Sequence, residues 1–254
     1  MTAVKNPNES SGSSPAIIAI VAIVAFFVVA FGAAKLLGKS DPVAIDSDGF
    51  EASAVVVEGT PLEFMPTDVS VSTDPTVDPA IGQTAPTISG QNFSGETVEI
   101  KDDGRAKAIY FVAHWCPHCQ AEVPLLVSVI DEGLVPEGLD IYLVSTSVDK
   151  GRGNYPASAW LDGENWPMPI IRDDNQNQAL INYGAGGFPY AVFLNSANQV
   201  VARAAGETNR ETILQLWNGA VNAEAIPTNV DGANAESSTI DGGDNSATTV
   251  ASDS

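Results

Sequence analysis

The sequence predicts an α/β domain, a mixed central β-sheet with helices on both faces, preceded by a helix that crosses a membrane. Three observations carry this reading. Residues 106–113 form an apolar run of the kind that fills a central strand buried on both faces. Around it the pattern runs strand, helix, strand, then helix, hairpin, helix, which builds a layered α/β domain. Far upstream, residues 16–34 are 19 consecutive uncharged residues, AIIAIVAIVAFFVVAFGAA.

The elements follow in order. Residues 1–15 are a short polar tail. Residues 16–38 form the membrane anchor, because 19 residues at helical rise span roughly 28 Å, close to the hydrocarbon thickness of a bilayer. A cleaved signal peptide is the competing reading, favoured by Gly32-Ala33-Ala34 and opposed by the length of the run. Residues 39–80 read as an acidic linker, a solvated spacer of scattered Val, Pro, Asp and Thr in which Val55-Val56-Val57 adds a short strand at most. Residues 81–226 hold the folded domain, with all four Trp. Within it, residues 97–101 read as a strand after a turn at Ser94-Gly95. Pro117 opens a helix at the position where its missing N–H costs nothing, and that helix bends at Pro124 and ends near Gly133. Residues 139–145 read as a parallel strand, 156–163 as a helix, 168–172 as a strand and 175–183 as a helix. Residues 190–195 and 199–205 form a hairpin. Residues 210–223 close the domain as an amphipathic helix with Ile213, Leu216 and Trp217 inward. Residues 227–254, rich in Gly, Ser, Thr, Asn and Asp, form a disordered acidic tail.

The net charge is −21. Residues 40–80 carry nine acids and no Lys or Arg, and residues 227–254 carry five acids and no base. Nucleic acid is excluded as a partner, since phosphate binding needs clustered Lys and Arg. Lys35 and Lys39 after the uncharged run weakly favour a cytoplasmic domain by the positive-inside rule. The long base-free stretch beyond them and the cysteine usage place the domain on the extracytoplasmic side of the cell membrane instead.

The only two cysteines stand in Cys116-Pro117-His118-Cys119, directly after the apolar run. A thiol attacks as thiolate, and the unpaired N–H groups and macrodipole of a helix N-terminus favour that anion. Cys116 at the helix start is therefore the attacking sulfur. Cys119, one turn further in and more buried, resolves the mixed disulfide. His118 near the Cys116 sulfur would stabilise the thiolate and make the pair more oxidising. Trp115 is core packing, a hydrophobic cover beside Cys116, or both. His114 reads as a solvated strand-end histidine. A zinc site is disfavoured, because four ligands are needed and His114 and His118 are the only histidines. A Cu(I) delivery site built from Cys116, Cys119 and His118 is the rival from another class. Covalent haem attachment fails because Gln120 follows the motif, and a structural disulfide here closes too small a loop to matter.

Residues 108–126, AIYFVAHWCPHCQAEVPLL, resemble the active-site strand and helix of the thioredoxin superfamily. The spacing Cys-x-x-Cys-x-x-Glu-x-Pro-x-Leu is similar to the TlpA-type branch of membrane-tethered extracytoplasmic thiol–disulfide exchangers, and residues 81–86 resemble their opening segment. The resemblance spans most of residues 81–221 and implies a thioredoxin-like fold. It also implies that Pro189, in Gly186-Gly187-Phe188-Pro189-Tyr190, is the cis-proline facing the cysteine pair, where the preceding backbone meets substrate. Phe188 is bulkier than the residue expected there. The Pro-His dipeptide is more like DsbA-type oxidases. Tyr110 stands where classical thioredoxins place a buried acid, and Glu122 is the candidate to handle the proton of the second thiol, with a solvated surface acid as the alternative. The implied activity is thiol–disulfide exchange without a bound cofactor or metal, on the oxidising side or, alternatively, as a reductase in cytochrome c maturation. The expected partners are thiols or disulfides of exported proteins and a membrane redox partner that recycles the pair.

Overall fold

The computed structural model describes residues 51–225. In chain order its elements are β1 (Val56–Glu58), β2 (Val71–Ser72), β3 (Thr87–Gln91), β4 (Thr97–Ile100), β5 (Ala106–Val112), α1 (Pro117–Asp131), β6 (Leu139–Ser145), α2 (Ala157–Gly163), β7 (Ile170–Arg172), α3 (Gln178–Asn182), β8 (Tyr190–Leu194), β9 (Val200–Ala205) and α4 (Arg210–Asn222). The expected anchor, the N-terminal tail and the stretch after residue 226 lie outside the described residues.

The apolar run becomes β5, buried along its whole length. It pairs in parallel with β6, from Ala106 opposite Leu139 to Val112 opposite Ser145, and antiparallel with β8. The six-stranded sheet has the order β2-β9-β8-β5-β6-β7, so it is mixed as expected. Side chains alternate across a strand, and β5 feeds two cores. Ala108, Tyr110 and Val112 join α1 and α4 through Val123, Leu126, Ile213 and Trp217. Ile109 and Phe111 join α3 and the first small sheet through Ala179, Ile88 and Ile100. The one charge in the run, Lys107, is buried, but its Nζ donates to Asp103 Oδ1 at 2.6 Å and to the Arg105 carbonyl at 2.9 Å. Its stem packs in the core while its head reaches the rim. Trp217 Nε1 donates to the Tyr110 hydroxyl at 2.7 Å, giving the buried indole its partner.

Residues 51–80 depart from the expected spacer. The stretch is folded onto the domain, and β1 extends a three-stranded sheet of order β1-β3-β4, while β2 adds an edge strand beside β9. Ala52, Leu62, Met65 and Ala80 are buried. The physical reason is a buried ion pair. Asp78 and Arg203 are both fully enclosed. Arg203 Nε donates to Asp78 Oδ2 at 2.7 Å, and Nη2 closes a second bond to Oδ1. Nη1 reaches the Glu63 carbonyl at 2.7 Å and the Tyr190 hydroxyl at 3.1 Å. The arm then crosses Gly184, where a Cβ would stand 2.2 Å from the Glu63 carbonyl oxygen. Gly184 also has φ +71°, so only glycine fits. Met65 N–H donates to the Gly184 carbonyl at 2.8 Å, and Leu62 N–H to that of Asn182 at 2.9 Å.

Removing one partner of such a pair leaves an uncompensated buried charge. Asp78→Asn is expected to destabilise the fold by about 3–5 kcal/mol, read as a lower urea midpoint.

Candidate active site

The end of β5 delivers the chain into α1 through a turn closed by Cys116 N–H to the Ala113 carbonyl at 2.9 Å. Cys116 is the N-cap of α1, with extended backbone and Pro117 next in the helix. The first-turn N–H groups face outward there without intrahelical partners. Both cysteines are free thiols. Cys116 retains 6% exposure and Cys119 none. Burial pushes the Cys119 thiol far above its ordinary value, opposed by a hydrogen bond from the Ala113 main chain and aided by the neighbouring Cys116 and Glu122.

Glu122 is not a solvated acid: it is 3% exposed. Burial pushes its carboxyl up to about 7, against hydrogen bonds from Thr208. The Thr208 N–H donates to Oε1 at 3.1 Å, and the Thr208 hydroxyl donates to the same oxygen. Tyr110, at the superfamily's acid position, is fully enclosed, and burial drives its phenol well above the ordinary value. The buried carboxyl of this core is thus Glu122, on the same helix as both cysteines.

Facing them is the loop before β8. The Phe188–Pro189 peptide bond is cis. The Cys116 thiol donates to the Phe188 carbonyl at 3.9 Å. The Phe188 ring meets the Trp115 indole edge to face at 5.8 Å. Trp115 Nε1 donates to the Ser147 carbonyl at 2.7 Å. The structure therefore gathers Trp115, Cys116, Phe188 and Pro189 at one mouth, with Cys119 and Glu122 beneath. His118 turns outward, and its Nδ1 donates to Glu207 Oε1 at 2.5 Å across the β9–α4 loop. Among the described residues no group of three or more His, Cys, Asp or Glu is placed to hold a metal ion.

Sequence reasoning missed two contributors. His114 is fully buried rather than solvated. Its Nδ1 donates to the Gly153 carbonyl at 2.8 Å, and its Nε2 accepts the Asp149 N–H at 3.1 Å, which together assign the neutral Nδ1–H tautomer. That clamp holds the loop carrying Arg152, whose guanidinium carbon lies 3.6 Å from the centroid of the Trp115 ring. Nothing local marks Arg152, which is 37 residues from Trp115 in the chain. A second cis bond, Tyr155–Pro156, ends the same loop.

Residues 81–213 match the AhpC/TSA family. Among curated proteins, the thiol:disulfide interchange protein HelX of Rhodobacter capsulatus is 26% identical over 113 residues, 44% of this chain and 58% of HelX. The thiol:disulfide interchange protein DsbE homolog of Paracoccus denitrificans is 26% identical over 134 residues, 52% of this chain and 69% of that protein. The chain thus spans less than two thirds of the length of HelX. Among solved structures, StoA from Bacillus subtilis aligns with a TM-score of 0.45 and 19% identity, covering 52% of this chain and 96% of StoA.

An acid whose pKa is raised by folding favours the fold while protonated. Its contribution is full below the unfolded value of 4.5 and is lost as pH climbs through about 7. Glu122→Gln removes this titration. Wild type is expected to lose on the order of 3 kcal/mol relative to Glu122→Gln over that window, measured by urea unfolding across a pH series.

Proposed function

The chain belongs to the AhpC/TSA family, with a thioredoxin-like α/β fold, and we propose that it is a membrane-anchored, extracytoplasmic thiol–disulfide oxidoreductase acting on exported proteins. The observation that carries this reading is the placement of Cys116. It stands at the N-cap of α1 beneath the Phe188 carbonyl, with Cys119 buried one turn further in. Residues 16–38 supply the anchor in this reading, and no bound cofactor is needed.

On the oxidising side, the cycle starts from the Cys116–Cys119 disulfide. A substrate thiolate attacks Cys116 Sγ, forming a substrate–Cys116 bond and displacing Cys119 as thiolate. The carboxyl of Glu122, protonated up to about pH 7, lies on the next turn and gives Cys119 its proton. A second substrate thiolate then attacks the substrate sulfur of the mixed disulfide and releases Cys116. The substrate has lost two electrons and the enzyme has gained them. A dithiol-oxidising partner in the membrane restores the disulfide. Cys116, the leaving sulfur of the mixed disulfide, stands at the start of α1. Phe188 and Pro189 offer main chain beside the reacting sulfur, and Trp115 covers it. His118, in the first turn and held by Glu207, adds cationic character when protonated, which favours the dithiol form.

The same steps in reverse describe a reductase, such as one serving cytochrome c maturation. The Cys-x-x-Cys-x-x-Glu-x-Pro frame favours that direction, while the Pro-His dipeptide favours oxidation. The reduction potential separates the two. For an oxidase it is expected nearer the roughly −120 mV of strong dithiol oxidants than the roughly −270 mV of thioredoxin. A value at the thioredoxin end selects the reductase reading. His118→Ala is expected to shift the potential to more negative values, and an unchanged potential removes His118 from the redox assignment. Cys119→Ser is expected to accumulate a substrate–Cys116 adduct on non-reducing gels, whereas Cys116→Ser forms none.

A further inference from the structure

The folded arm before the main domain does more than brace it. Residues 65–70 and the loop at 186–188 face each other across a groove of about 350 Å³. Its walls include Met65, Thr67, Asp68 and Ser70 on one side and Gly187 and Phe188 on the other. Phe188 is shared: its residue lines the groove, and its carbonyl lies 3.9 Å from Cys116 Sγ. The groove thus shares Phe188 with the mouth that holds Cys116. A Cβ at Gly187 would meet nothing within 4 Å, so the wall there is open main chain. Among the described residues, Gly186, Gly187 and Phe188 make no backbone–backbone hydrogen bond. An extended polypeptide arriving at Cys116 therefore finds main chain without backbone partners on one side and the arm on the other.

Charge selects which polypeptide. Asp68 is exposed and is the one charged side chain among the described residues lining the groove. Residues 40–80, to which the arm belongs, contain nine acids and no base. Building on the thiol-exchange reading, we propose that this groove receives the segment flanking the substrate's reacting cysteine, and that Asp68 makes it prefer flanks carrying Lys or Arg. Asp68 is a specificity residue in this scheme. It touches the flank and not the sulfur.

The test uses the full chain, reduced, and two synthetic peptides of equal length. Each closes an internal disulfide, one with Lys and the other with Glu beside its cysteines. The uncharged 2-hydroxyethyl disulfide is the reference, and each peptide rate is divided by the same variant's rate with it. Wild type is expected to show a higher single-turnover second-order rate constant for the Lys peptide. Asp68→Asn lowers the Lys-to-Glu ratio two- to fivefold, about the range an exposed ion pair supplies, and Asp68→Lys inverts it. Raising the salt to about 1 M, where charges are screened within about 3 Å, collapses the preference. A ratio that neither variant changes overturns the proposal while leaving thiol exchange in place. A wild-type chain inert toward all three disulfides overturns the exchange reading and this proposal with it.

Discussion

The loop opposite the cysteines is held by one buried cation. Arg203 sits on β9, yet it joins Asp78, the Glu63 carbonyl and the Tyr190 hydroxyl. Tyr190 passes the constraint on, donating to the Tyr183 carbonyl at 2.7 Å, and Tyr183 donates to that of Pro86 at 2.5 Å. These two tyrosines bracket residues 184–189. A buried guanidinium is tolerable only when its donors are met, and here a carboxylate, a carbonyl and a phenol meet them. The position of the Phe188 carbonyl over Cys116 follows from this set of bonds, and so does the course of the arm.

The other side of the mouth is held by the β6–α2 connection. The Asn177 side-chain oxygen accepts the Ser147 N–H at 2.9 Å, and the Ser147 carbonyl takes the Trp115 indole proton. His114 grips the Asp149–Gly153 turn through both ring nitrogens. Arg152 is thereby laid over Trp115, and the indole is fixed between a cation on its face and Phe188 at its edge. Two independent networks thus converge on the reacting sulfur, one from the arm and one from the β6–α2 connection.

Much of the sheet and the cysteine turn was readable because their signals are local. The strand at residues 106–112, the helix opened by Pro117, the hairpin at Ser196-Ala197-Asn198 and the inward face of the last helix rest on apolar runs, on turn chemistry or on helical periodicity. The arm was unreadable for the opposite reason. Its burial comes from isolated residues at irregular spacing, and the partner of Asp78 lies 125 positions away. β3 hid similarly, since Thr87–Gln91 contains one large apolar residue, Ile88. Its Gly90 is required by packing: a Cβ there would stand 2.7 Å from a methyl of Ile171. For Glu122 a place three residues after Cys119 left surface and core equally open, and only the loop bringing Thr208 beside it decides the matter. His114 was misjudged because its two partners come from a loop 35 to 39 residues downstream.

The unequal depth of the two sulfurs also governs how the molecule withstands chemical injury. A peroxide arriving from solvent meets Cys116 first, because Cys119 has no surface to offer. The sulfenic acid formed there has a second thiol one helical turn away. Condensation of the two expels water and returns the ordinary disulfide before further oxygen can be added. Irreversible oxidation to the sulfinic acid is thereby countered by the nearness of Cys119, while its burial favours the thiol over the attacking thiolate.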